Sequence, residues 1–219
     1  MDVITISSEL GSGGTEIAGR VAATLGHALV DERTCDDILR KYGLTKFNDL
    51  YGSAPGVLDL VRVDNLLVIA MYNEILEALA RRGRVVIVSR VGFAVLGGYG
   101  DVLNVRVTAP PVERARRLLA GAGPGDLGTA DERVREDDNA HRKFAERFYG
   151  RKPDDPSGYG LTVDTGTVSV EEAAGQVVAA ARAALELPPA DAATTTAAIE
   201  VDPVLATAVA EVMASGGLS

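Results

Sequence analysis

The sequence predicts an α/β protein in which helices cover both faces of a mostly parallel β-sheet. Short β-branched runs alternate along the chain with longer segments whose apolar residues recur at helical spacing. Aromatic residues make up only 5% of the 219 residues and Trp is absent, a composition that suits helices packed on a sheet. Strands that alternate with helices form βαβ units, and the strands of such units are parallel.

The predicted strands are short apolar runs, and the clearest of them is Arg-Val-Val-Ile-Val at residues 84–88. Together the predicted strands cover residues 3–7, 28–30, 84–88, 102–107 and 161–163. Helices are predicted where the apolar positions have a period near 3.6 residues. These segments are residues 15–25, 32–43, 57–82, 111–120, 130–148 and 169–185.

The chain divides into one main domain, residues 1–187, and a C-terminal part, residues 188–219. The division is marked by Pro188-Pro189 and by the Ala/Thr-rich run at residues 192–198, which is typical of a linker. The last apolar run, residues 201–213, is either a short docking helix or a mobile tail.

Charge and composition exclude several classes of protein. The formal net charge of −9 opposes binding to nucleic acid and to anionic membranes, so a bound anion needs local Arg, Lys or backbone N–H groups. One cysteine, Cys35, excludes an internal disulfide, and His27 and His141 are too far apart to suggest a metal centre. There is no basic leader before the first apolar run, and no apolar run is long enough to span a membrane. We therefore expect a cytoplasmic protein.

A glycine-rich segment, Ser-Glu-Leu-Gly-Ser-Gly-Gly-Thr at residues 8–15, lies between the first predicted strand and the first predicted helix. A loop in this place can direct backbone N–H groups and the positive end of a helix dipole at a phosphate. Against the phosphate-loop pattern G-x-x-x-x-G-K-S/T, Gly13 and Thr15 agree. Ser8 replaces the first glycine and Gly14 replaces the lysine.

We predict from this segment a loop that binds a nucleotide phosphate. The predicted phosphate ligands are Gly11, Ser12, Gly13, Gly14 and Thr15, and the Thr15 hydroxyl is the predicted Mg²⁺ ligand. The alternative is a tight strand-to-helix turn whose glycines serve packing only. The position between a strand and an amphipathic helix favours the phosphate-binding interpretation.

Further segments follow in order along the chain. With the loop they are residues 4–7 and 11–14, 29–31, 85–90, 105–110 and 113–117, 137–144 and 147–150, and 159–169 and 171–172. This ordered series resembles the cytidylate kinase-like family over residues 1–185. Its most specific segment is residues 137–150, which is similar to the lid segment that carries catalytic arginines. The sequence departs from the pattern at the missing loop lysine, at Ser8, where relatives commonly have Arg, and at Val91, which replaces an Asp that holds the cytidine nucleotide in cytidylate kinases.

The resemblance implies a P-loop, nucleotide-kinase-like fold that uses ATP and Mg²⁺. It implies acceptor-binding helices over about 32–82 and a lid over about 118–150. It also implies catalytic roles for Arg142 and Arg147, which would supply the charge of the missing lysine, and a place for Arg117 against the donor base. Arg90, Arg62 and Arg33 are candidates for gripping the acceptor.

Other interpretations stay open for several of these side chains. Asp31 is a candidate catalytic carboxylate at the end of the second predicted strand, or equally the N-cap of the next helix. The lid arginines could instead be solvated helix charges, as in an i,i+4 pair between Asp138 and Arg142. Arg114 and Arg116 are expected to face solvent.

Three functions follow from the sequence. The first is an ATP-dependent phosphotransferase for a nucleoside monophosphate, a nucleoside or a related small hydroxyl or phosphate acceptor. The second is a nucleotide-binding sensor without catalysis. The third is an assembly component whose C-terminal segment docks on another subunit, and a homodimer is left open.

Overall fold

The computed structural model describes residues 2–44, 63–122, 126–185, 191 and 194–216. Within these residues, five strands form one parallel sheet in the order β2-β3-β1-β4-β5. They are β1 (Val3–Ser8), β2 (Ala28–Val30), β3 (Val85–Val88), β4 (Val102–Thr108) and β5 (Leu161–Asp164). Because β1 is the central strand, the loop that follows it lies at the middle of the carboxyl edge of the sheet.

Six of the helices in the described ranges lie close to predicted helices, whereas the short helix Gly92–Val95 was not predicted. The helices are α1 (Gly14–Leu25), α2 (Glu32–Lys41), α3 (Val63–Arg82), α4 (Gly92–Val95), α5 (Pro111–Ala122), α6 (Leu127–Tyr149), α7 (Val170–Leu185) and α8 (Pro203–Gly216). α6 begins three residues before its predicted start because Asp126 caps it, accepting a hydrogen bond from the Thr129 amide at 3.0 Å. The predicted helical residues 57–62 lie outside the described residues. No helix in the described ranges is long and apolar enough to cross a membrane.

Two apolar clusters fill the two sides of the sheet. On one side α1 and α7 cover Ile4, Ile6 and Val105, with α1 contributing Ile17 and Val21. On the other side α2 and α3 pack over alternate strand positions; this cluster includes Val3, Val30, Val85, Ile38, Leu39, Ile75 and Leu79. Alternate strand residues point to opposite faces, so the parallel sheet is covered on both sides, as predicted.

The C-terminal helix α8 belongs to the second cluster. Leu205, Val209 and Val212 are buried there against α2 and α3. Lys41 of α2 forms an ion pair with Glu211 of α8 at 2.5 Å. Of the two alternatives for the C-terminal run, a docked helix is the one found, and it docks on its own chain.

Candidate active site

The glycine-rich loop, residues 9–13, connects β1 to α1 at the carboxyl edge of the sheet. Gly11 and Gly13 have φ values of +81° and +86°, which residues with a side chain rarely adopt. A Cβ on Gly11 would also lie 2.8 Å from the Arg114 carbonyl oxygen. Glycine at position 11 is therefore required by both the backbone conformation and the contact with α5.

Three successive carbonyl groups of the loop accept hydrogen bonds from side chains that lie outside the cleft. Arg114 Nη1 donates to the Leu10 oxygen and Arg117 Nη1 donates to the Gly11 oxygen, each at 3.4 Å. Thr165 Oγ1 donates to the Ser12 oxygen at 2.8 Å. These bonds fix the peptide planes of the loop, so the loop is shaped before any ligand arrives.

Four amide groups of the loop and the start of α1 remain available. Ser12, a predicted phosphate ligand, is not among them, because its amide donates to the Glu9 carbonyl at 3.0 Å and it does not line the cleft. Within the described residues, the amides of Gly11, Gly13, Gly14 and Thr15 donate to no protein acceptor. The last three stand at the start of α1, where the helix dipole is positive. They border a cleft of about 450 Å³ that is also lined by Asp31, Glu32, Arg33, Ser89 and Arg90. The arrangement suits an anion such as a phosphate.

Glu9, the first loop residue, joins the loop to β4. Its carboxylate accepts hydrogen bonds from Arg106 Nη2 at 2.9 Å and from Thr108 Oγ1 at 2.6 Å. Arg114 Nε lies 3.4 Å from the same carboxylate. Glu9 is three quarters or more buried, and its charge is neutralised by these two arginines.

Arg114 joins the loop to α6, and the expectation that it faces solvent is wrong. Its side chain is only 3% exposed and makes two hydrogen bonds to the Asp138 carboxylate, at 2.9 and 2.7 Å. Burial disfavours its charge, but the bonds to Asp138 and the charge of Glu9 outweigh that and raise the Arg114 pKa. Asp138 thus pairs with Arg114, and the alternative of an i,i+4 pair between Asp138 and Arg142 is not realised. Arg116 is exposed, as predicted.

A second contact joins α6 to the end of β3. Arg90 Nη1 forms an ion pair with Asp137 at 2.8 Å, and His141 Nε2 donates to the Arg90 carbonyl oxygen at 2.9 Å. Burial, together with the positive charge of Arg90, lowers the pKa of His141 to about 4. His141 is therefore neutral at pH 7. Through these contacts and the pair between Arg114 and Asp138, α6 is joined to the end of β3 and to α5.

A smaller cavity of about 180 Å³ adjoins the cleft, and Ser8 and Glu9 line both. Its other lining residues are Ser7, Arg106, Asp138, His141, Arg142, Pro153 and Asp154. Arg142 is exposed and, within the described ranges, has no ion-pair partner. It is thus an available cation next to the loop.

Arg147 is not brought to this cavity. α6 is continuous from Leu127 to Tyr149, so five residues separate the side chains of Arg142 and Arg147 by more than a quarter-turn of helix. Arg147 is exposed in the last helical turn and lines neither cavity. The predicted joint action of the two arginines would require α6 to move or bend.

Asp31 serves as the N-cap of α2 and also lines the cleft. Its Oδ1 accepts hydrogen bonds from the Thr34 amide at 2.9 Å and from Thr34 Oγ1 at 3.0 Å. No protein donor among the described residues reaches Oδ2. The N-cap alternative for Asp31 is therefore realised, and the residue also lines the cleft.

The arginines predicted to bind the acceptor and the donor base lie in different places. Arg33 and Arg90 line the same cleft as the loop. Arg117 donates to Thr165 Oγ1 at 2.8 Å and to the Thr165 carbonyl at 2.7 Å, beside the loop and outside both cavities. Arg62 lies outside the described residues.

Sequence reasoning missed Glu9, Arg106 and the burial of Arg114. A carboxylate inside a phosphate-binding loop is unexpected, since it would repel the ligand. That mismatch was the available signal: a loop Glu needs cationic partners, and Arg106 on a buried strand needs an anion. Neither residue could be assigned to the other without the sheet register, which places Ser8 beside Val107.

Comparisons with known proteins concern the family and the fold. The model of the cytidylate kinase-like family matches residues 3–167. The crystal structure of an uncharacterized protein from Eubacterium ventriosum ATCC 27560 matches with a TM-score of 0.67 at 17% identity, over 83% of this chain and 99% of that one. Among curated proteins, no sequence matches.

Two shikimate kinases are also similar in structure. The enzyme from Bacteroides thetaiotaomicron matches with a TM-score of 0.52 at 15% identity, over 84% of this chain and 98% of that one. The enzyme from Acinetobacter baumannii, in complex with shikimate, matches with a TM-score of 0.51 at 14% identity, over 86% and 96%. At these identities the likeness establishes the fold, which is the predicted P-loop kinase fold.

Proposed function

Since this chain belongs to the cytidylate kinase-like family, we propose that it is an ATP-dependent phosphotransferase that acts on a small acceptor. The acceptor is a nucleoside monophosphate, a nucleoside or a related small molecule with a hydroxyl or phosphate group. The observation that carries the proposal is the loop itself, whose carbonyls are fixed from behind while four amides border the cleft. Such a loop is built to receive the phosphates of a nucleotide.

The cleft also suits Mg²⁺ bound together with the nucleotide. The Thr15 hydroxyl stands in the first turn of α1, and the carboxylates of Glu16, Asp31 and Glu32 line the same cleft. All are oxygen ligands, the kind that Mg²⁺ prefers, and Mg²⁺ in kinases takes much of its coordination from phosphates and water. When bound, the ion neutralises phosphate charge. Thr15 is the residue that would hold it.

The acceptor is proposed to lie opposite the loop, near Arg33, Arg90 and Asp31. The arginines attract an acceptor anion, and Arg90 is already oriented by its pair with Asp137. For a hydroxyl acceptor, Asp31 Oδ2 takes the proton as the γ-phosphoryl group moves from ATP to the acceptor oxygen and ADP leaves. The cap bonds on Oδ1 hold the carboxylate in place for that step.

Arg142 is proposed to supply positive charge to the transferring phosphoryl group. Arg106 and Arg114 already pair with Glu9 and Asp138, so their charges are compensated. Arg142, which lines the smaller cavity beside the loop, has no such partner in the part of the chain that the structure describes. Charge stabilisation is the main task of a protein in phosphoryl transfer.

The alternative is a nucleotide-binding protein without catalysis. The observation that favours it is Gly14, which stands where the P-loop pattern has its lysine. Such a protein would bind Mg-ATP and release no ADP with any acceptor.

The test is ADP formation from Mg-ATP in the presence of one acceptor at a time. The panel is CMP, dCMP, UMP, AMP, GMP, their nucleosides and shikimate, the last because two fold neighbours are shikimate kinases. Arg142→Ala is compared with Arg116→Ala, an exposed arginine outside both cavities. Acceptor-dependent ADP that is lost in Arg142→Ala and kept in Arg116→Ala supports the kinase. ATP binding without turnover on any acceptor supports the alternative.

A further inference from the structure

Ser8 and Gly14 occupy neighbouring places at the two ends of the loop. Ser8 is the last residue of β1 and Gly14 is the first residue of α1. A Cβ built on Gly14 would fall on the Cβ and Oγ of Ser8, well inside van der Waals contact. Gly14 is buried, so the clash cannot be relieved by turning the residue toward solvent. In this conformation the loop has room for a side chain at position 8 or at position 14, but not at both.

The two residues reverse the phosphate-loop pattern. That pattern has glycine at its first position and lysine at its seventh, whereas this chain has Ser8 at the first and Gly14 at the seventh. The side chain of Ser8 lies where the side chain of a lysine at position 14 would begin. The missing lysine is therefore part of a paired exchange and does not by itself indicate a decayed site.

We propose that Ser8 takes the place of the loop lysine as the side chain that contacts the bound phosphate. The inference rests on the proposed function and adds a residue to it. Ser8 lines both the cleft and the smaller cavity, so it stands where the two meet. Its hydroxyl makes no hydrogen bond to any of the described residues, while its neighbour Ser7 donates to the Arg90 carbonyl. A phosphate oxygen is an acceptor suited to that hydroxyl.

The exchange also divides two tasks that one lysine performs. A serine hydroxyl gives a hydrogen bond but no charge, so the charge must come from another residue. Arg142 lines the same small cavity as Ser8 and is the available cation there. Ser8 then orients the phosphate and Arg142 supplies the positive charge.

The steric part of the inference is tested without any nucleotide. Gly14→Ala, Ser8→Gly and the double variant are compared by thermal unfolding. Gly14→Ala alone is expected to lower the melting temperature by at least about 3 °C, because it overpacks the loop. In the Ser8→Gly background the same change should cost much less. An equal cost in both backgrounds would overturn the exclusion of one side chain by the other.

The ligand part is tested by calorimetric titration of Mg-ATP into Ser8→Ala, which keeps the Cβ and removes only the hydroxyl. The Kd should rise about 2- to 12-fold, the effect of one neutral hydrogen bond. Ser215→Ala, on α8 and outside both cavities, should leave it unchanged. If the wild-type protein binds Mg-ATP and Ser8→Ala binds it with the same Kd, only this inference is contradicted. Wild-type protein that does not bind Mg-ATP contradicts the proposed function.

Discussion

Arg114 on α5 and Asp138 on α6 face each other through two hydrogen bonds, of 2.9 and 2.7 Å. The same guanidinium donates to the Leu10 carbonyl of the glycine-rich loop and to the carbonyl of Ala109, which directly follows β4. One buried arginine thus connects the loop, the sheet and α6. A movement of α6 that separated this pair would leave Asp138 without its arginine partner. It would also remove the contact that orients the Arg114 guanidinium beside the loop, so the position of α6 and the contact between Arg114 and the loop are linked.

The first prediction concerns the stability that Arg114 provides. Arg114→Met should lower the free energy of unfolding by about 3 kcal/mol, because the carboxylates of Glu9 and Asp138 each lose their ion pair with Arg114. Asp138 is 32% exposed and can be rehydrated, which places the loss at the lower end of the range for buried pairs. Arg116→Met, on the exposed face of the same helix, should change stability by less than about 0.5 kcal/mol. Urea unfolding measures both, and equal effects would contradict the role given to Arg114.

A second prediction concerns the C-terminal helix. Leu205 is 3% exposed within the cluster formed with α2 and α3, whereas its neighbour Val204 is 67% exposed. Leu205→Ala should destabilise the protein by about 2–5 kcal/mol and Val204→Ala by less than about 0.5 kcal/mol. Mass in solution, measured by light scattering, should be the same for both variants. A changed mass with unchanged stability would instead support a helix that docks on another subunit.

The third prediction compares two glycines. Gly11→Ala combines a positive φ with a Cβ 2.8 Å from the Arg114 carbonyl oxygen, so it should destabilise by at least about 1–2 kcal/mol and weaken Mg-ATP binding. Gly175→Ala, in α7 with open space around the new Cβ, should stabilise by about 1 kcal/mol through helix propensity. Chemical denaturation measures the change in the free energy of unfolding for both variants. A more stable Gly11→Ala would be inconsistent with the loop conformation.

A fourth prediction concerns pH. The pKa of His141 is about 4 in the folded protein and near 6.5 when unfolded, so the unfolded state binds more protons between these values. Stability should therefore fall as the pH drops from about 6.5 toward 4, by about 2 kcal/mol at pH 5. His141→Gln should remove this part of the pH dependence, although Asp137, Asp138 and Arg90 remain nearby. If the stability of His141→Gln changed with pH as steeply as that of the wild type, His141 would not titrate in this way.

The sheet and the loop were predictable because their signals are local. Five short, mainly apolar runs and the glycines at positions 11, 13 and 14 identify the strands and the turn that follows the first strand. Parallel pairing then places that turn among the carboxyl ends of the strands. The observed sheet confirms the predicted fold class, and the match to the family model confirms the resemblance.

The arginine partners were not predictable because they depend on distant parts of the chain. Glu9 and Arg114 are brought together by the packing of α5 against the loop, and Asp138 meets Arg114 only because α6 folds back on α5. Local spacing suggested an exposed Arg114 and a pair between Asp138 and Arg142. An i,i+4 pair contributes only a few tenths of a kcal/mol, whereas leaving the buried Arg114 charge without a partner costs several kcal/mol, so Asp138 pairs with Arg114.

The central claim is that the loop holds the phosphates of Mg-ATP, and calorimetric titration of Mg-ATP tests it most directly. Wild type should bind, and Thr15→Val should raise the Kd at least about tenfold with Mg²⁺ present, because the proposed metal ligand is lost. The effect should be much smaller in EDTA. Thr24→Val, which removes an exposed hydroxyl from the same helix, should bind as the wild type does. No binding by the wild type, or equal binding by Thr15→Val and Thr24→Val, would contradict the claim.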